Sequence, residues 1–92
     1  MRFVIKIDIP ATTPCAVANK SDFENELTRL YLAVGAQSAY TRINEDGSRT
    51  DAVVVEISDA RELEPKAKMI FELLNVRPKF MLETNKKGDF GF

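Results

Sequence analysis

Asn44-Glu45-Asp46-Gly47-Ser48 separates two runs rich in strand formers, residues 37 to 44 and 49 to 58, and its Asp46-Gly47 pair supplies the positive backbone angles that a tight hairpin needs. The chain is therefore expected to contain an antiparallel pair. Its register has two readings. A two-residue turn at Asp46-Gly47 sets Tyr40 opposite Val53, whereas a three-residue loop that includes Ser48 sets Thr41 there. A shift of one residue exchanges the buried and exposed faces of a strand, so the choice matters. The longer loop is preferred, because it keeps Arg42 out of the core while Ala39, Thr41 and Ile43 join Val53, Val55 and Ile57.

Working outward, residues 3 to 9 alternate, with Phe3, Ile5, Ile7 and Ile9 on one side and Val4, Lys6 and Asp8 on the other, the period of a half-buried strand. Pro10 and Pro14 end it, and the stretch through Lys20 reads as a loop that carries Cys15. Ser21-Asp22-Phe23-Glu24 has the form of a capping box and predicts a helix beginning at Ser21. Its apolar stripe is Phe23, Leu27, Leu30, Tyr31 and Val34, and Gly35 follows where a left-handed cap is expected. Leu32 lies opposite that stripe, as an isolated exposed residue or part of an interface. A second helix is capped by Asp59 with Glu62, tolerates Pro65 in its first turns, and repeats the stripe as Leu63, Ala67, Ile70, Phe71 and Leu74. Lys79 to Thr84 alternates again as a final strand, which leaves residues 1–84 as one domain and 85–92 as a polar tail bearing Phe90 and Phe92.

The order strand, helix, strand, strand, helix, strand closes most simply as an α+β, ferredoxin-like βαββαβ fold: a four-stranded antiparallel sheet in the order 4-1-3-2 with both helices on one face. The other face is then left to water or to a partner. It is expected to carry Arg2, Val4, Lys6 and Asp8 from strand 1, Tyr40 and Arg42 from strand 2, and Ala52, Val54 and Glu56 from strand 3. Strand 4 adds Lys79, Met81 and Glu83. Val4, Val54 and Met81, with or without Tyr40, form an apolar island with charges of both signs around it, and Val4, Val54 and Met81 with Phe90 and Phe92 are the candidate interface residues.

This element order, the short length and the half-apolar open face resemble the dimeric α/β-barrel group of ferredoxin-like proteins, which includes muconolactone isomerase and small cofactor-independent monooxygenases. The resemblance implies a homodimer and, where such proteins are enzymes, a cavity between sheet and helices furnished with histidine or other polar groups. This chain contains no histidine, so no catalytic residue is transferred to it by motif.

Composition narrows the function classes. Thirteen basic and fourteen acidic side chains in 92 residues leave a net charge of -1, with no broad field to attract a polyanion. The outward positions of strands 1 and 3 also lack the aromatic platform of an RNA-recognition module, so nucleic acid is not an expected partner. Lys79, Lys86 and Lys87 make only a small basic patch. Lys6 and Asp8 interrupt the first apolar run before it reaches the length of a signal or membrane segment, and the lone Cys15 forms no disulfide within the chain. A cytoplasmic protein without metal or cofactor is the expectation. Asp89-Phe90-Gly91 matches a kinase magnesium triplet, but the rest of that machinery is missing. Without histidine, proton transfer or polar recognition would fall to carboxylates and hydroxyls. The candidate ligand pocket is accordingly Asp8, Tyr31, Tyr40, Arg42 and Glu56, suited to a small polar ligand. Two functions are thus expected, a self-associating binding or assembly module first and a cofactor-independent enzyme or small-molecule binder second.

Overall fold

The computed structural model describes residues 1–12 and 20–83. Cys15, Lys86, Lys87, Phe90 and Phe92, named above, lie outside them. The described elements are β1 (Arg2–Ile9), α1 (Lys20–Ala33), β2 (Ala36–Ile43), β3 (Arg49–Glu56), α2 (Leu63–Leu74) and β4 (Lys79–Leu82), with a single 3-10 turn at Ala60–Glu62 leading into α2. The four strands form one antiparallel sheet in the order β2-β3-β1-β4, the expected order read from the opposite edge. The two longest-paired strands, β1 and β3, occupy the centre.

Alternation decides the layers. Ile5, Ile7 and Ile9 of β1 and Val53 and Val55 of β3 meet Phe23, Leu27, Leu30, Tyr31 and Val34 of α1 and Ile70 and Leu74 of α2 in one core. Each of these side chains is under a tenth exposed. The even-numbered residues of β1 and β3 point the other way, where Val4, Ala52 and Val54 form a second, smaller cluster against Met81. On α2, Phe71 leaves the expected stripe. A step of one residue turns it about 100° from Ile70. It is half exposed, while Leu73 packs against the core in its place.

The hairpin loop is Glu45-Asp46-Gly47, one residue earlier than the preferred reading. The Asn44 amide donates to the Ser48 carbonyl at 2.8 Å and the Gly47 amide to the Asn44 carbonyl at 3.0 Å, with Gly47 at φ 86°. The Asp46 carboxylate accepts from the Ser48 amide and hydroxyl, which holds it below the usual carboxylate range. Ile43 therefore faces Arg49, Thr41 faces Asp51 and Ala39 faces Val53. A slip of two positions preserves the face of every side chain. Ala39, Thr41 and Ile43 do share the helix side, but they do not enter the core: β2 is an edge strand, and all three are exposed.

The helix starts divide. Asp59 and Glu62 form the expected capping box, the Asp59 carboxylate accepting from the Arg61 amide and the Glu62 carboxylate from the Asp59 amide. Ser21 is not the cap of α1, because the helix already includes Lys20. Glu24, the other half of that predicted box, pairs instead with Arg49. The final strand is described as Lys79–Leu82, and the Glu83 amide still donates to the Arg2 carbonyl; Thr84 lies outside the described residues.

Candidate functional site

The inward face of β3 is apolar at Val53 and Val55 and then ionic at Asp51 and Arg49. Asp51 has no exposed surface, an expensive place for a carboxylate unless every lone pair is met. Three donors from three elements meet it: the Tyr31 hydroxyl of α1, the Thr41 hydroxyl of β2 at 2.9 Å and the Arg49 Nε of β3 at 2.8 Å. All three give hydrogens, so the group is satisfied as an acceptor-only carboxylate. Arg49 in turn donates to Glu24 of α1 and to Thr41. Burial alone would lower its pKa, but the bonds to Asp51 and Glu24 more than offset this and hold it above the ordinary value. The result is a polar clasp joining α1 to the two strands of the hairpin.

Tyr31 responds to the same surroundings. Burial, then the hydrogen bond and charge of Asp51, push its hydroxyl well above the ordinary tyrosine range. Because the raised group is neutral when protonated, its contribution to stability is complete below about pH 10 and lost as the unfolded chain's tyrosine ionises above that value. Absorbance at 295 nm and denaturant midpoints followed from pH 8 to 12 check this. Tyr31 is expected to ionise only as the chain unfolds, and stability to fall with rising pH above about 10.

Beside the clasp opens a cavity of about 300 Å³, walled chiefly by Ile9, Phe23 and Ile43, with Glu24 and Arg49 as its charged groups. Grooves between the helices, at Leu30 and Met69, and beside Phe71 and Arg77 are larger but shallower.

The five expected pocket residues are not brought together. Tyr31 lies in the core on the helix side, whereas Asp8, Tyr40, Arg42 and Glu56 occupy the other face. Asp8 is paired with Thr50 and accepts its hydroxyl at 2.8 Å, while Glu56 lies six positions further along β3 and holds the N-terminal ammonium at 3.0 Å. At roughly 3.3 Å per residue the two carboxylates stand about 20 Å apart, too far to share a small ligand. Val4, Val54 and Met81 do cluster on the expected face, but Val4 is only 3% exposed and Val54 1%. Asp51, Arg49, Thr41 and Glu24 were not among the site residues expected from the sequence, where Thr41 stood as a core position and Glu24 as half of a capping box. The alternation of the sequence was the signal, since it put Asp51 on the same side as Val53 and Val55.

No family model, curated protein or solved structure matches this chain. Among the described residues no group of three or more acidic or cysteine side chains is placed to hold a metal ion, and no helix is long and apolar enough to cross a membrane.

Proposed function

We propose that the chain is a small self-associating module of the ferredoxin-like kind, in which two copies pair along β2 to make one continuous sheet. The observation that carries this reading is the contrast between the two edges. β4 is four residues long, follows Pro78 and begins with Lys79, features that discourage a further strand. β2 runs eight residues with Arg42 its single charge and no buried side chain. Leu32 at 71% and Ile43 at 66% exposure lie beside or on it, more exposed than any other large apolar residue described.

The hydrogen-bonding pattern favours a second copy as the occupant. Asn44 bonds to Ser48 across the hairpin, so in the alternating ladder Arg42, Tyr40 and Ser38 turn their amides toward β3. Ala39, Thr41 and Ile43 then turn theirs outward. Two copies related by a twofold axis at Thr41 exchange bonds at Ala39–Ile43, Thr41–Thr41 and Ile43–Ala39, and they set Tyr40 opposite Arg42 with no like charges facing. The burial of Val4, Ala52 and Val54 within a single chain favours the edge over the sheet face, which would gain little further area.

Ala39→Pro tests the pairing. It removes an outward amide and leaves the ladder to β3 intact, which is where proline is tolerated in a sheet. Sedimentation equilibrium at ten to a hundred micromolar is expected to give a dimer for the unmodified chain and a monomer for the variant, with unchanged far-ultraviolet circular dichroism. A monomeric unmodified chain, or an undisturbed dimer in the variant, removes the proposal.

A further inference from the structure

The cavity beside Arg49 has charged groups that the self-association does not use. Its walls, Ile9, Phe23 and Ile43, are apolar, and its volume of about 300 Å³ stands at the small end of ligand sites. The charge around it is unbalanced. Among the described residues that line it Arg49 is the one cation, and that guanidinium is already shared between Asp51 and Glu24, so the three groups together keep one negative charge in excess. Asp51 is sealed from solvent, but the Glu24 side chain is half exposed. Among the described residues Arg49 engages Oε1 of Glu24, which leaves Oε2 as an acceptor on this half-exposed side chain. The hairpin loop that closes this end through Gly47 adds Glu45 and Asp46, again acidic.

We infer that this cavity binds a small organic cation, a primary ammonium or amidinium on a compact apolar body of about one ring, with the charge on Glu24 and the body against Ile9, Phe23 and Ile43. A carboxylate of the same shape meets Arg49 already spent on Asp51 and Glu24, and the remaining charge of the three repels it. A neutral alcohol gains the walls but not the charge-assisted bond. Glu24 sets the preference, and the apolar walls set the size limit. The lining residues all belong to one chain, and of them Ile43 alone also lies on the β2 edge proposed for pairing.

Three probes of matched shape separate these contributions: benzylamine, benzyl alcohol and benzoate, titrated into the isotope-labelled full chain at pH 7 and low salt and followed by amide chemical shifts. Benzylamine is expected to shift Phe23, Glu24 and Arg49 and to bind about tenfold more tightly than benzyl alcohol, the scale of one hydrogen bond to a charged group. Benzoate is expected to bind more weakly than either. Glu24→Gln keeps the size of a half-exposed side chain and is expected to erase the amine preference while leaving the alcohol unchanged; Glu24→Asp is expected to retain part of it. Tighter binding of benzoate, a preference that survives Glu24→Gln, or shifts that map away from these residues would each overturn the assignment, as would no saturable binding of benzylamine up to tens of millimolar.

Discussion

Asp51→Ala is expected to destabilise the chain by about 3 kcal/mol, read from the shift of a urea unfolding midpoint at constant slope. The reason is the inventory of groups it leaves behind. The Tyr31 hydroxyl, the Thr41 hydroxyl and the Arg49 Nε all give their hydrogens to this carboxylate, and although Thr41 on the exposed edge can turn to water, the buried Tyr31 hydroxyl and the largely covered Arg49 cannot readily do so. Removing one member of a buried pair ordinarily costs about 3–5 kcal/mol. The lower end applies because Glu24 keeps a negative charge on Arg49. Tyr31→Phe alone is expected to cost about 1 kcal/mol, the worth of one hydrogen bond. In the Asp51→Ala background the same change should cost nothing, since it then removes an orphaned donor. Unfolding measurements on the four chains of this cycle would show a coupling of about 1 kcal/mol. Additive effects would mean that the two side chains do not act together.

The same clasp marks how far the sequence could be read. Alternation in residues 3 to 9 and 49 to 57, the stripes from Phe23 to Val34 and from Leu63 to Leu74, and the Asp46-Gly47 turn are local patterns, and together they led to the observed strand order. The hairpin register was not fixed by them. One glycine with a positive φ fits several loops, and the bonds that decide between them, Gly47 to Asn44 and Ser48 to Asp46, differ only in which residue the turn begins on. The start of α1 was misplaced for a different reason: Glu24 has a partner 25 residues away that no helical spacing reveals. The candidate pocket failed on parity. Asp8 and Glu56 were placed correctly on the face away from the helices, and a residue so placed cannot line a cavity with Tyr31. Conversely, Asp51 and Arg49 stood on the inward face from the outset, where a charge must find a partner to be tolerated. Partners drawn from α1 and β2 become visible only once the chain is folded.

Val54→Asp separates the two ways in which the sheet could meet a second copy. Were the apolar face the contact surface, a charge there would dissociate the dimer and leave the folded chain intact. But Val54 is 1% exposed, between Val4 at 3% and Ala52 with no exposed surface, so the new carboxylate enters a site already closed within one chain. Its diagonal neighbours across the sheet are Arg2 and Lys6, and Arg2 already holds Glu83 at 3.0 Å. The expected loss is about 4 kcal/mol or more, much of the 5–15 kcal/mol by which a small domain is stable. Leu32→Asp is the matched control. At 71% exposure beside β2 it should change unfolding by less than about 0.5 kcal/mol while weakening the dimer. Urea unfolding and sedimentation of both variants therefore give opposite patterns: lost stability for Val54→Asp, lost association for Leu32→Asp. A Val54→Asp chain that stays as stable as its parent and becomes monomeric would move the contact from the edge to the face.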